Sequence, residues 1–321
     1  MEKAVQLTQA ACEHDDANAL SNMGAMYQHG QGVPIDLGKA KEYYVDAAAQ
    51  RFPPGLYNLA MLHAKGLGVP VNAEKALKTL AEAFRLGFSE AGYRLGAIYL
   101  KGFGEEVPAS PAKAFRWFEK AAAVGNLNAA YTVGVMCLKG FALPQKHFEY
   151  IQEEEVPDLD DIDLDDMEAE EEGEDEENSE KGAEEKEDDE ITEEDDIYAR
   201  LKHPEDEEAE EVDEEQMTTD HARAIMYLES AASQGHSEAQ YSLGLMYADG
   251  TDGTPDPTKA FEWLSNAAAA GLPAAQYEVG RMYESGTGVD RDSTKAKEFF
   301  ALAAQNGFSI EKEAPFVSIF D

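Results

Sequence analysis

Residues 238–271 read EAQYSLGLMYADGTDGTPDPTKAFEWLSNAAAAG, two helix-spaced apolar stripes separated by a glycine-rich turn. In the first stripe Ala239, Leu243, Leu245, Met246 and Tyr247 cluster around Gly244, whose missing side chain lets a neighbouring helix come close. Ser237 with Gln240 three residues on predicts a capping box at the start of this helix, and Gly250 and Gly253 predict its end. In the second stripe Asp256 is the expected N-cap and Pro257 the first helical residue, where a missing N–H is no loss. Ala260, Trp263, Leu264, Ala267 and Ala268 then recur at i, i+3, i+4, i+7 and i+8 until Gly271 stops the run. The stretch predicts an antiparallel helical hairpin with a narrow, alanine-lined seam.

The same hairpin recurs along the chain. The close-approach position of the first helix is Gly24, Ala60, Gly96, Gly134, Gly244 and Gly280, at intervals of 36, 36, 38, 110 and 36. The small residue of the second helix is Ala40, Ala76, Ala114, Ala224, Ala260 and Ala296. Four residues earlier stand Asp36, Asn72, Ser110, Asp220, Asp256 and Asp292, all good N-caps. Eleven residues after each alanine stand Arg51, Gly87, Gly125, Gly235, Gly271 and Gly307, five of them the residue that tolerates a left-handed cap. A fixed period in the thirties with this pattern predicts an all-α solenoid of six units.

Just before each second-helix alanine is a cation: Lys39, Lys75, Lys113, Arg223, Lys259 and Lys295. A cation in the first turn opposes the helix dipole, so its recurrence needs compensation. The expectation is a stem lying on apolar surface with a head paired to the cap carboxylate; the alternative is a row of cations along one edge. At the other end, Lys3, Ala4, Leu7, Ala11 and Cys12 match the second-helix template, so the chain opens inside a hairpin. That half-unit reads either as an N-terminal cap or as the mark of a fragment or truncated gene model.

The fourth unit is split. Between Gly140 and Asp220 the usual short turn is replaced by an acidic stretch. Residues 145–215 hold 38 Asp and Glu against Lys146, Lys181, Lys186, Arg200 and Lys202, a local charge of −33 within a total of −40. Such a composition buries too little apolar surface to offset ordering entropy, so disorder is expected there. A long loop adds only modestly to closure entropy, so the helical array is expected to continue on either side. The predicted organisation is 1–17 a half-repeat helix, 18–141 three repeats and the first helix of the fourth, 142–217 the insertion, 218–307 the remaining repeats, and 308–321 a tail.

Chemistry is sparse. The seven histidines, among them His14, His29, His63 and His236, lack metal-ligand spacing. No phosphate-cradling G-x-x-x-x-G-K-[ST] loop and no G-x-S-x-G elbow occurs, so no enzyme, cofactor or metal site is predicted. Asp161, Asp163, Asp165 and Glu172 fall at positions 1, 3, 5 and 12 of a calcium loop. Asp166 stands where that loop needs glycine, and Glu168 where it needs an aliphatic residue, so chance spacing in an acidic tract is the better reading. Cys12 and Cys137 read as reduced core residues, and there is no N-x-S/T sequon. The expected compartment is the cytoplasm, with the nucleus as an alternative and the secretory pathway kept open by the start inside a hairpin. No run is long and apolar enough to span a bilayer.

The motifs AQYSLGLMYADG, AQYEVGRMYESGTGV and SNMGAMYQHGQGVPIDLGKA resemble the Sel-1-like repeat, a relative of the tetratricopeptide repeat. The resemblance covers residues 18–307 apart from the insertion. Departures are Ala60 for glycine, Arg51 for the closing glycine, and His63 and Cys137 at the position of Tyr27, Tyr99, Tyr247 and Tyr283. It implies a right-handed α/α superhelix that scaffolds protein complexes. The penicillin-binding activity proposed for cysteine-rich members is not carried over, because their hairpin disulfides have no counterpart here. If the related groove geometry holds, Tyr57, Tyr93, Tyr131, Tyr241 and Tyr277, with Arg281, face the groove or its floor, although seam packing is the commoner role for such tyrosines.

The expected function is therefore a non-enzymatic protein–protein interaction scaffold or adaptor whose groove takes a peptide or helix. The alternative is an acidic chaperone-like binder of basic proteins such as histones or ribosomal proteins. Its insertion would act by charge, with anchors at Phe148, Tyr150, Ile151, Leu159, Ile162, Leu164, Met167, Ile197, Tyr198 and Leu201. An enzyme is a remote third reading. Nucleic acid is disfavoured because phosphates would be repelled.

Overall fold

The computed structural model describes residues 2–104, 106–141, 219–251 and 253–309. Among these are thirteen α-helices and no β-strand beyond a single bridge between Phe103 and Val107. In chain order they are α1 (Glu2–Cys12), α2 (Ala17–His29), α3 (Leu37–Ala49), α4 (Pro53–Lys65), α5 (Ala73–Arg85), α6 (Ser89–Lys101) and α7 (Pro111–Ala123). There follow α8 (Leu127–Leu138), α9 (His221–Ser233), α10 (Ser237–Asp249), α11 (Pro257–Ala269), α12 (Pro273–Ser285) and α13 (Ser293–Gln305). Each even-numbered helix to α8 pairs with the odd one after it, and so do α10 with α11 and α12 with α13. The fourth hairpin is α8 with α9, its halves lying on either side of the insertion.

The expected caps form in all six second helices. Asp36, Asn72, Asp220, Asp256 and Asp292 accept through Oδ1, and Ser110 through Oγ, from the backbone N–H three residues on, at 2.8 to 3.3 Å. Each such cap is worth about 1 kcal/mol. The backbone N–H of the same residue donates back to the first helix: Asp36 to Tyr27 O, Asn72 to His63 O, Ser110 to Tyr99 O, Asp220 to Cys137 O, Asp256 to Tyr247 O and Asp292 to Tyr283 O, at 2.7 to 3.1 Å. Elsewhere this bond closes a turn of nine or eleven residues; from Cys137 to Asp220 it spans 83 in sequence at 3.0 Å. The longer turn of the third repeat, from Tyr99 to Ser110, carries the Phe103–Val107 bridge.

The second helices end alike. Gly87, Gly125, Gly235, Gly271 and Gly307 take φ of 90 to 95°, and the next residue's N–H reaches back to the last-turn alanine, as Phe88 does to Ala83 O at 3.0 Å. This is the Schellman closure. Arg51 takes the same left-handed position at φ 53°. Its guanidinium reaches Glu82 Oε1 at 2.6 Å, a compensation for backbone strain of roughly 1 kcal/mol.

The hairpin seams are as narrow as the sequence implies. A Cβ built on Gly24, Gly96, Gly134, Gly244 or Gly280 would meet Tyr44, Phe118, Leu228, Leu264 or Phe300 at 2.5 to 2.7 Å. The second-helix residue contacted is always four after the recurrent alanine, and in the second repeat, where Ala60 replaces glycine, that residue is the fully buried Leu80. The alanines themselves are at most 2 % exposed. Helix α1 packs on α2 as a second-helix copy would, with Cys12 joining Ala19, Leu20, Met23 and Ala47 in a buried cluster.

One local expectation is corrected. The N-cap of α10 is His236, whose Nδ1 accepts from Ala239 N at 3.2 Å; Ser237 is already helical. Gln240 does not close a capping box but donates to Ala232 O, in the last turn of α9, at 3.0 Å, as Gln276 does to Ala268 O at 3.2 Å. These amides satisfy last-turn carbonyls of the preceding helix.

Candidate protein-binding surface

The recurring cation finds an aromatic ring. Lys39 lies 5.2 Å from the centroid of Tyr27, Lys113 5.8 Å from Tyr99, Lys259 4.9 Å from Tyr247 and Lys295 5.1 Å from Tyr283. Lys39 also comes within 4.0 Å of Asp36 Oδ2, so the expected cap pairing accompanies the ring contact there. Both partners recur at fixed positions, so each of these hairpins carries the cation over the third residue after its glycine. Where that tyrosine is Cys137, the cation is Arg223, and it is buried. Its Nη2 bonds Glu119 of α7, which also accepts from Tyr227 OH at 3.3 Å, and its guanidinium lies 5.1 Å from the Phe115 ring. Burial pushes the Glu119 carboxyl up to about 7, partly opposed by Arg223 and Tyr227.

Of the predicted groove residues, Tyr57, Tyr131 and Tyr277 pack against the residue that follows their own hairpin. Tyr57, Tyr93, Tyr131, Tyr241 and Tyr277 are all half-buried. Tyr57 meets Phe88, the residue before α6, edge-on at 5.2 Å. Tyr131 stacks on His236 at 4.9 Å, and Tyr277 stacks on Phe308 at 4.5 Å. Tyr93 leans on Phe118 of its own hairpin at 5.4 Å, and Tyr277 on Phe300 at the same distance. Two of the hydroxyls engage the following repeat: Tyr57 OH accepts from Arg94 Nη2 at 3.3 Å, and Tyr131 OH bonds Ser242. Asn58 Nδ2 donates to Ser21 Oγ at 3.2 Å between the corresponding positions one repeat earlier.

A polar ladder thus joins Ser21 to Asn58, Tyr57 to Arg94 and Tyr131 to Ser242, each time from one column to the next column of the neighbouring repeat. Its second rail, Asn58, Arg94 and Ser242, was missed from sequence. The signal was present, since each residue after a column tyrosine is polar. Arg281 stands apart from the tyrosines as an exposed side chain whose Nη1 donates to both oxygens of Glu278, at 3.2 and 3.1 Å. Burial holds His236 below the ordinary imidazole value against the pull of Glu238, which keeps Nδ1 free to cap α10 and Nε2 within 3.2 Å of Asn128 Oδ1.

Beside the ladder, the residue after each close-approach position is Ala25, Met61, Ala97, Val135 or Leu245 before Arg281, and all but Val135 of these five are half-buried. At the N-terminal end an open cavity of about 350 Å3 is lined by Gln9, Tyr27, Lys39, Glu42, Tyr43 and Asp46, with the two tyrosine rings stacked at 5.7 Å. Among the described residues no three His, Cys, Asp or Glu side chains stand close enough to hold a metal ion, and no helix is long and apolar enough to cross a membrane. The calcium-like spacing at Asp161–Glu172 and the proposed acidic-tract anchors lie outside the described residues.

With this geometry in hand, the Sel1 repeat pattern matches residues 17–52, 53–88, 89–126, 214–236, 237–272 and 273–308. The chain belongs to the Sel1 repeat family. A Sel1 repeat protein from Oxalobacter formigenes is similar in fold, with a TM-score of 0.54 and 19% identity over 90% of this chain and 85% of that one. A protective antigen of uropathogenic Escherichia coli strains, also of Sel1-like fold, aligns with a TM-score of 0.41 and 23% identity over 96% of this chain and 57% of that one. The immunity protein Pa5087 of Pseudomonas aeruginosa aligns with a TM-score of 0.39 and 17% identity over 90% and 81%. No curated protein matches the chain. Sel1 arrays generally serve protein–protein interaction and are typically non-catalytic.

Proposed function

We propose that this Sel1 array is a non-enzymatic scaffold whose first-helix face, from Tyr57 to Arg281, takes a peptide or helix from other proteins. The observation that carries this reading is the preorganised ladder: ring packing and cross-repeat hydrogen bonds fix Tyr57, Tyr131 and Tyr277, next to half-buried Met61, Ala97 and Leu245. A surface already ordered before binding loses little side-chain entropy on contact. Free, buried Cys12 and Cys137 fit the further proposal of a reducing, cytoplasmic setting.

A second reading rests on charge. With −33 of the net −40 in residues 145–215, an acidic chaperone-like hold on basic proteins would operate through the insertion while the array positions it. The two readings separate in a pull-down from native lysate using the intact chain and one lacking residues 145–215, washed at low and high salt. Groove binding predicts partners that survive both excision and salt, and that are lost from a Met61→Glu, Leu245→Glu variant. Basic partners lost on excision and released by salt would instead transfer function to the acidic stretch.

A further inference from the structure

The six hairpins are built so nearly alike that their helices are chemically interchangeable. Every first helix offers a small residue preceded by an apolar one, and every second helix offers the alanine and the large apolar residue four places on. In five hairpins this does not matter, because a turn of seven or nine residues between the helices leaves a second helix no choice of partner. In the fourth, 82 residues separate Leu138 from His221, so α9 can reach other first helices, including those of another copy.

The position that differs in this hairpin is the one able to discriminate. Arg223 replaces the lysine found at Lys39, Lys75, Lys113, Lys259 and Lys295, and it is buried between α9 and α7, on Glu119. Glu119 lies five residues after the recurrent alanine of its helix. The corresponding residues in α1, α3 and α5 are Gln9, Val45 and Ala81, none of them a carboxylate. If α9 paired one or more repeats too early, the Arg223 guanidinium would face Ala81, Val45 or Gln9 in place of Glu119, a buried cation without its carboxylate, and Glu119 would lose the guanidinium that bonds it.

We propose that Glu119 and Arg223 form a register lock, the pair that makes the C-terminal part of the array, α9 to α13, dock behind α7 and not behind α1, α3 or α5. The partner recognised is a complementary half of this same protein, in cis or in a second copy. Tyr227, which donates to the same carboxylate oxygen, and Phe115 beneath the guanidinium orient the two charges. This inference is independent of what the first-helix face binds.

The test exchanges the charges between two full-length chains, Glu119→Arg and Arg223→Glu. Each chain alone places like charges at its own junction, two guanidinium groups in the first and two carboxylates in the second. In a swapped dimer of one with the other, both junctions are matched. The guanidinium introduced by Glu119→Arg faces the carboxylate introduced by Arg223→Glu, and the two unaltered residues restore the native pair. Wild type, each variant and an equimolar mixture are refolded from denaturant, and species are weighed by light scattering and native mass spectrometry. The lock predicts a heterodimer in the mixture at least about tenfold above the dimer formed by either variant alone, with recovery of helix content and melting temperature. A mixture that gives no more dimer than the separate variants, or single variants that refold as monomers with the wild-type melting temperature, would overturn it. Failure of the single variants to fold leaves the test intact, because rescue on mixing is itself the readout.

Discussion

In the first, third, fifth and sixth repeats the basic residue of the second helix rests on a tyrosine ring near water, whereas in the fourth it is buried against a carboxylate of the preceding repeat. The backbone does not distinguish these cases: Asp220 N–H reaches Cys137 O as Asp36 N–H reaches Tyr27 O, at 3.0 Å in both. The turn geometry is therefore repeated within the molecule while the side-chain closure is not. A ring contact adds a modest local attraction to a hairpin that its short turn already holds. A buried ion pair adds little net stability, but it penalises wrong pairing severely, which is what a hairpin without a short turn lacks.

The largest effect that would break this comparison is a one-sided deletion. Arg223→Ala or Glu119→Ala should cost about 3–5 kcal/mol in denaturant titrations, whereas replacing both by leucine should leave the midpoint close to wild type. If the single and double variants lose the same amount, the pair is not acting as a unit.

Next in size is the seam itself. Gly134→Ala drives a Cβ to within 2.7 Å of the buried Leu228 and should cost roughly 1–3 kcal/mol. The second repeat already carries Ala60 at that position, so Ala60→Gly should cost only about 1 kcal/mol, from helix propensity. Thermal melts of both variants check the order. Smaller again is the surface closure: a double-mutant cycle on Tyr247→Leu and Lys259→Met should return a coupling of about 0.5–1 kcal/mol.

Two buried carboxylates sharpen the contrast through their opposite responses to pH. Glu119, raised by burial to about 7 from an ordinary 4.5 against the pull of Arg223, holds a proton in the folded chain through that window and completes the charged pair only above it; its linkage contribution is complete below 4.5 and is lost as pH rises through about 7. Glu82 is pushed up by burial, but the hydrogen bonds and charges of Arg85 and Arg51 outweigh that and hold it below 4.5. Its contribution is present above the ordinary value and is lost as pH falls through the depressed one. Melts across pH should therefore lose their near-neutral slope in Glu119→Gln and part of their acid slope in Glu82→Gln.

Much of this was legible in the residues. N-caps, closing glycines and seam alanines act through local backbone geometry, so Asp256, Gly271 and Ala260 declared their roles within a few positions. Periodicity assigns a face but not the partner across it, so the cap carboxylate was the expected companion of Lys259, and the Tyr247 ring was not foreseen. His236 was passed over as an N-cap because the hydroxyl of Ser237 is the commoner acceptor. The pairing of Glu119 with Arg223, 104 residues apart, could not be read from any local rule. The column of Tyr57, Tyr131 and Tyr277 was found by spacing, while the polar rail at Arg94 and Ser242 became apparent only when neighbouring repeats were laid side by side.

The hydrogen bond from Asp220 to Cys137 has a practical consequence. It brings the two ends of an interruption in the chain together at 3.0 Å without disturbing the helices that carry them. That junction is a socket. A folded passenger whose own termini lie close together, such as a fluorescent reporter, could be grafted between residues 141 and 219 and carried by the array as cargo.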